Sequence, residues 1–460
     1  MSNIITHFFD AKSIPILLIA IICLSFSFFL RHPAKEKKEI NELKEDAPDK
    51  AHGIIFGKKG KNLVYSPSNS EGSIGVFSSS GTGKTSAIGI PTLRSWTGTC
   101  LVIDISGDVC RNCLNMENKL IFEPENPNTV PYNIFGRIDQ LPDVDTRHES
   151  LEELAYLLMP EVPNMNDNAR FFLINGRKIL TASLIAFYDT GIDFIDISQK
   201  IIENSWQSLF RMIDATKNSD AIRYINSFEG ASETNTAGCK QSCDDALKLF
   251  ATNHKIKNCV RRPKEDEKAI TPNCIEESNI FLIVPDPKLN LYSPLLNIIT
   301  SQFMQYISNR KVTPKSYSIL LFLDEFASLH IDSLLILDAL RKYRKRKCRV
   351  MLLTQNLADL DLLYGHDTTR AILSNLRFKV LLGGLGEPES QTYFSNLIGY
   401  QDVTKKSKSK NAKSITTTTT TEKEYIISPA DLDRQGKDIV ILLAPDDPGY
   451  FILKKNYYFQ

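Results

Sequence analysis

Two short stretches carry residues whose types and spacing fit phosphoryl transfer from a nucleoside triphosphate. The first is Ser78-Ser79-Ser80-Gly81-Thr82-Gly83-Lys84-Thr85. It follows the apolar run Ile74-Gly75-Val76-Phe77 and opens a helix-compatible segment, Lys84 to Trp96. Strand, glycine-containing loop and helix in that order make a cradle of backbone N–H groups for phosphate oxygens, and the helix N-terminus adds favourable potential for anions. Ser80, Gly81, Thr82, Gly83, Lys84, Thr85 and Ser86 are the expected ATP contacts. Lys84 would reach the β- and γ-phosphates, and the Thr85 hydroxyl would hold Mg²⁺. The pattern G-x-x-x-x-G-K-[ST] begins with glycine, whereas Ser78 stands first here. Serine tolerates a left-handed backbone less readily than glycine.

The second stretch is Ile319-Leu320-Leu321-Phe322-Leu323-Asp324-Glu325. A buried strand running into two acids would project carboxylates into the same site. Asp324 would order the Mg²⁺ shell, and Glu325 would orient or deprotonate the attacking water. A further apolar run, Arg349 to Thr354, ends at Gln355, whose amide could touch the γ-phosphate or the water. Between these lies Arg341-Lys342-Tyr343-Arg344-Lys345-Arg346-Lys347. Such a run could be a solvated helix end favoured by the helix dipole, a source of an arginine finger across a subunit boundary, or a contact to a phosphate backbone.

The elements that must position these residues read as an α/β fold. Thr99-Cys100-Leu101-Val102-Ile103-Asp104 is a continuous apolar run ending in a carboxylate, as expected of a strand inside a parallel sheet covered on both faces. Leu120 to Glu123 continues a β-α-β-α-β pattern. From 141 to 275 the spacing turns helical, with Leu151, Leu154, Leu157 and Leu158, then Leu173, Leu180, Leu184 and Phe187. This predicts an inserted all-α domain. The sheet pattern resumes at Asn279 and runs to the strand-like Asp438–Leu443 and Tyr450–Leu453. The nucleotide-binding domain is thus expected in two pieces, 51–140 and 276–460. Residues 404–424, TKKSKSKNAKSITTTTTTEKE, are of low complexity and are expected to form a mobile surface loop.

Residues 1–50 are expected to form an anchor and a charged linker. Ser13 to Leu30 is an uncharged stretch of 18 residues, long enough for a spanning helix, which needs about 17–25. Arg31, His32, Lys35, Lys37 and Lys38 follow it, so the positive-inside rule keeps the bulk of the chain in the cytoplasm. The remaining composition is that of a globular protein: 42% hydrophobic, 24% charged and net charge +1. That balance gives no global attraction to nucleic acid, so any DNA contact must come from local basic patches. The nine cysteines are odd in number and irregularly spaced, which reads as reduced thiols rather than a zinc site.

Taken together, these motifs resemble the coupling ATPases of type IV secretion and conjugation systems, within the FtsK–HerA group of RecA-like motor proteins. The likeness rests on the N-terminal apolar segment, the phosphate loop followed by Ile90-Pro91-Thr92-Leu93, and Val102-Ile103-Asp104-Ile105-Ser106-Gly107-Asp108. It rests also on Phe122-Glu123-Pro124 with Pro131-Tyr132-Asn133, the helical insertion, Leu323 to Leu329, and Thr354-Gln355-Asn356. The resemblance implies a RecA-like P-loop NTPase domain with an all-α insertion. It also implies a homo-hexamer anchored in the bacterial inner membrane, for which this sequence offers a single pass. It implies recruitment of single-stranded or relaxase-bound DNA, contacts with relaxosome proteins and channel components, and ATP hydrolysis that drives transfer. By position, Lys84, Glu325, Gln355 and Arg344 become the catalytic set, with Gln355 as sensor and Arg344 as finger, Arg341 being the nearby alternative. Three departures stand out. Ser78 replaces a glycine, Ser106 and Asp108 replace the usual Lys and Glu, and one span is found where two are common. Absence of a long tail after the last strand would also argue against docking through such a tail. Two other activities fit the same motifs: a coupling ATPase whose cargo is protein, and a nucleotide-binding docking platform that barely hydrolyses.

Overall fold

A computed structural model describes residues 42–113, 116–161, 165–411 and 414–459. The apolar stretch Ser13–Leu30 lies outside the described residues. Twelve strands form one sheet: β1 (Lys44–Asp46), β2 (Gly53–Lys59), β3 (Asn62–Pro67), β4 (Ser73–Phe77), β5 (Thr99–Asp104), β6 (Lys119–Phe122), β7 (Asn279–Ile283), β8 (Ile319–Leu323), β9 (Cys348–Thr354), β10 (Leu376–Leu381) and, after a separate hairpin of β11 (Tyr400–Asn411) and β12 (Ser414–Tyr425), β13 (Ile439–Leu443) and β14 (Tyr450–Lys454). The order across the sheet is β1-β3-β2-β14-β13-β10-β4-β9-β8-β5-β7-β6. From β10 to β6 the neighbours are parallel, and from β13 to β1 they are antiparallel. The sheet is therefore mixed.

The continuous apolar strands follow from burial on both faces. Leu101 and Ile103 pack into one apolar layer with the Leu289–Ser308 and Ser333–Lys342 helices, while Cys100 and Val102 pack into the other with Ile88 and Leu93. A strand buried on both sides has no solvent face to make polar, so it reads as a run and not an alternation. The strand that leads into the phosphate loop, β4, lies between β10 and β9, and β8 is one strand further on. In a parallel sheet the strand ends align, so the loop after β4, the acids after β8 and Gln355 after β9 all emerge along one edge.

Between β6 and β7 the chain runs through seven helices from Val144–Leu158 to His254–Cys259. Their starts are written in the sequence. Asp143, Asn166, Asp193, Ser205, Asn218 and Asn253 each accept a hydrogen bond from the first turn that follows, an interaction of about 1 kcal/mol. The Asp167–Tyr188 helix is long and apolar enough to cross a membrane, but 67% of its apolar window is buried inside the fold, as befits a core helix. Tyr132 ties this region to the sheet layer: its hydroxyl donates to Gln302 Oε1 at 2.6 Å, and its N–H donates to the Cys259 carbonyl at 2.8 Å. Residues Glu42–Gln460 form one compact unit.

Two expectations are corrected. The Lys- and Thr-rich stretch is an antiparallel hairpin, paired in continuous register from Tyr400↔Tyr425 to Asn411↔Ser414. Threonine is β-branched and favours strands, so a threonine run needs no core to extend. At the hairpin base Tyr400 and Tyr425 stack with centroids 4.6 Å apart, and Lys405 bridges Glu422 and Glu424 at 2.8 and 2.7 Å. The charged linker also folds further than expected. Lys44–Asp46 adds to β3, Asp46 accepts the Tyr65 hydroxyl at 2.7 Å, and Glu42 pairs with Arg377. These contacts are long-range in sequence and leave no local pattern to read.

Candidate active site

The phosphate loop leaves β4 at Ser78, which is fully buried. Ser78 does not take a left-handed backbone; Gly81 (φ 76) and Gly83 (φ 101) do. The first position therefore does not need glycine here, and serine adds a contact. Its Oγ lies 2.5 Å from Thr82 Oγ1, and that hydroxyl donates to the Ser79 carbonyl at 2.8 Å. The loop is held from outside as well. Ser78 N–H donates to the Thr354 carbonyl and Ser79 N–H to the Gly384 carbonyl. Helix begins at Lys84 with a wide π turn, Lys84–Gly89, and continues as the α-helix Ile90–Ser95.

Lys84 is buried at 5% exposure. Its Nζ donates to the Ser78 carbonyl at 2.9 Å and the Ser79 carbonyl at 3.4 Å, and it stands 3.8 Å from Glu325 Oε1. Burial pushes its pKa down, against the opposing pull of Glu325, Asp324 and Asp359. Glu325 occupies a left-handed backbone, φ 46 and ψ 51. For a residue with a Cβ this costs of order 1–3 kcal/mol, and such strain gathers at functional sites. Gln355 Nε2 donates to Glu325 Oε2 at 3.4 Å. Asp324 is 5% exposed, and its Oδ1 has no hydrogen-bond partner among the described residues. Burial, then Glu325, then Asp104 push its pKa up to about 7.

Lys84, Asp324, Glu325 and Gln355 thus stand together at the ends of three strands. The arrangement suits a phosphate chain and a divalent cation. An orphaned buried carboxylate oxygen wants a positive partner, a buried ammonium can turn from loop carbonyls to phosphate oxygens, and a half-exposed Glu325 can reach water. Thr85 follows Lys84 directly and is only partly buried. Ser80 and Gly81 are exposed, and Thr82, Gly83 and Ser86 are partly so, leaving the loop's outer surface accessible.

Arg344 is not part of this cluster. It precedes β9 and sits at the opposite end of the strand from Gln355, where it forms an ion pair with Glu71. A cavity of about 360 Å³ opens there, lined by Glu71, Arg344, Lys347 and Arg349 among others. The basic run is largely committed. Lys347 Nζ donates to the carbonyls of Thr313, Pro314 and Ser316, Arg346 to that of Arg310, and Lys342 pairs with Asp338. Buried Arg349 holds Gly72, Ser66 and Pro67.

Two residues at the site carried no readable role in the sequence. Asp104 acts as a staple: Oδ1 accepts from Gly107 N–H and Oδ2 from Cys110 N–H, both at 2.8 Å. That fixes the Ser106-Gly107-Asp108 turn. The signal was the acid ending an apolar run. Lys455, only 5% exposed, donates to the Thr82 carbonyl at 2.8 Å and the Leu382 carbonyl at 3.3 Å, tying the end of the sheet to the phosphate loop. One lysine after a strand gives no such signal.

The geometry can now be set beside known proteins. The fold matches the bacterial conjugative coupling protein TrwBdeltaN70 in its unbound form, with TM-score 0.65 and 17% identity over 84% of this chain and 85% of that chain. TrwB has also been solved with ADP and Mg²⁺, which this chain matches with TM-score 0.64 at 18% identity over the same shares. In sequence the chain is 22% identical over 365 residues to the protein VirD4 of Rhizobium rhizogenes, covering 75% of this chain and 50% of that one. It is 23% identical over 319 residues to the type IV secretion system-coupling protein VirD4 of Bartonella henselae, covering 66% and 49%. The chain spans about half the length of the curated relatives it matches. The family model for type IV secretory system conjugative DNA transfer matches residues 32–460, nearly all of the chain, and the protein belongs to that family.

Proposed function

We propose that the protein is a membrane-anchored coupling ATPase of the bacterial inner membrane. In this reading it recruits DNA, as a relaxase–DNA complex, to a type IV secretion or conjugation channel and drives transfer by ATP hydrolysis. The observation that carries the reading is the cluster itself. A buried lysine, a strained glutamate and a glutamine stand 3.8 and 3.4 Å apart beside an aspartate whose Oδ1 has no hydrogen-bond partner among the described residues, in a chain of a DNA-transfer family.

Residues 80–86 hold the nucleotide in this account, with Lys84 on the terminal phosphates. Thr85 and Asp324 hold Mg²⁺, which when bound neutralises charge on the phosphate oxygens. Glu325 accepts a proton from the attacking water, and Gln355 holds Glu325 in place and senses the terminal phosphate. Arg344 lies at the other end of β9, paired with Glu71, so in this account it leaves that pair to serve a neighbouring subunit of a homo-hexamer and not its own site. Residues 51–140 and 276–460 act as the motor and 141–275 as its helical insertion, with residues 1–50 supplying the anchor and the charged linker.

The test is phosphate release by the full-length chain with Mg²⁺ and ATP, with and without single-stranded DNA. The account expects hydrolysis that rises with DNA. Hydrolysis unmoved by DNA at every protein concentration would remove DNA as the cargo, and absence of hydrolysis would leave a docking platform.

A further inference from the structure

After β14 the chain does not leave the molecule; residues 455–459 lie along the phosphate loop. Lys455 Nζ holds the Thr82 carbonyl at 2.8 Å, and Tyr458 N–H donates to the Ser86 carbonyl at 3.1 Å. Arg94, on the helix that follows the loop, donates to the Tyr458 carbonyl at 3.1 Å and places its guanidinium 4.9 Å above the Tyr458 ring. The segment is therefore fixed at Lys455 and Tyr458 to the elements that would hold phosphate.

On either side of Tyr458, Tyr457 and Phe459 stack on each other, with ring centroids 5.2 Å apart and planes 21° from parallel. Phe459 is 65% exposed. The edge of the Tyr457 ring comes within 3.2 Å of where a Cβ on Gly83 would stand, and Ser86 Oγ lies within 3.5 Å of the same point. Two near-parallel aromatic rings, one open to solvent, thus flank the loop at Gly83 and Ser86. The opposite flank is taken by Glu325 and Gln355. If the hydrolysed end of a triphosphate faces Glu325, the nucleoside end must leave on the Ser86 side.

The geometry points to Tyr457 and Phe459 as the platform on which the base of the bound nucleotide stacks. This rests on reading residues 80–86 as the nucleotide site. A large exposed aromatic surface otherwise stands in water at a cost, whereas a base offers a flat apolar face of similar size. Base–aromatic stacking is favourable and tolerates different bases, because each has a π face. The platform and the loop move as one piece, since Lys455 and Tyr458 tie them together.

The experiment is calorimetric titration of the full-length chain with two ligands in Mg²⁺: a non-hydrolysable ATP analogue, and inorganic tripolyphosphate, which has no base. The wild type should prefer the analogue by about tenfold or more, the equivalent of about 1.4 kcal/mol. A Tyr457→Ala/Phe459→Ala double variant should lose about that factor for the analogue and keep its tripolyphosphate affinity, which also shows that the loop is intact. Tyr457→Phe should retain the preference. A double variant that keeps full analogue affinity, or loses both ligands equally, overturns the platform. Wild type that binds both ligands equally overturns it while leaving the phosphate loop standing, and wild type that binds neither overturns both.

Discussion

Lys84 Nζ stands 3.8 Å from Glu325 Oε1, and the Glu325 it meets is held in a left-handed backbone. The pair joins the first strand of the site, β4, to its acidic strand, β8, across the intervening β9. Neither residue is placed for stability. Lys84 is buried against its preferred charge state, and Glu325 is strained.

The strain gives a first prediction. Asparagine tolerates the left-handed region better than glutamate. Glu325→Asn should therefore keep or raise the melting temperature, by up to about 1 kcal/mol of stability, while hydrolysis falls to background. Thermal denaturation and phosphate release on the same sample check both halves.

Asp324 gives a pH dependence. Its pKa is pushed up to about 7, chiefly by burial, from the ordinary carboxylate value of 3.8. The folded state therefore binds the proton more tightly than the unfolded chain. Its contribution is fully present at low pH and is lost as pH rises from about 4 through about 7. Measured without nucleotide or Mg²⁺, the stability advantage of Asp324→Asn over the wild type should grow by about 2 kcal/mol between pH 5 and pH 7. A constant difference across that range would contradict the burial argument.

Ser78 gives a third. It lies outside the left-handed region, so glycine is not required there, and its Oγ touches Thr82. Ser78→Gly should cost about 1–2 kcal/mol in stability through the lost contact and added chain entropy. Hydrolysis should stay within about threefold of wild type. Loss of hydrolysis would mean that the loop depends on that contact.

The hairpin of β11 and β12 gives the fourth. Among the described residues it pairs with no other strand, and it meets the rest of the fold at its base, where the Tyr400 hydroxyl donates to Asn396 Oδ1 at 2.7 Å beside the Tyr400–Tyr425 stack. Replacing residues 402–423 by a short Gly-Ser turn should leave stability within about 0.5 kcal/mol and basal hydrolysis unchanged. A large loss of either would show that the hairpin supports the site.

The readable parts of this site share a physical origin. A parallel sheet buried on both faces turns each strand into an apolar run, so the polar residue that ends it stands out; Ser78, Asp324 and Gln355 are all legible that way. The helix starts are legible because an Asp, Asn or Ser cap is a local requirement. What escapes is contact across long sequence separation. Lys455 reaches Thr82, Glu42 reaches Arg377, and Asp446 accepts from the Glu42 and Leu43 N–H groups, none with a local signature. The hairpin escaped for a different reason: low complexity suggests disorder, whereas threonine's β-branched side chain favours an extended ladder.

The most direct measurement is phosphate release by the full-length chain and by Lys84→Ala, with ATP and Mg²⁺ in the presence of single-stranded DNA. The account predicts DNA-stimulated release by the wild type and none above background from Lys84→Ala. Equal release from the two proteins would contradict it, because catalysis would then lie outside the cluster of Lys84, Asp324, Glu325 and Gln355.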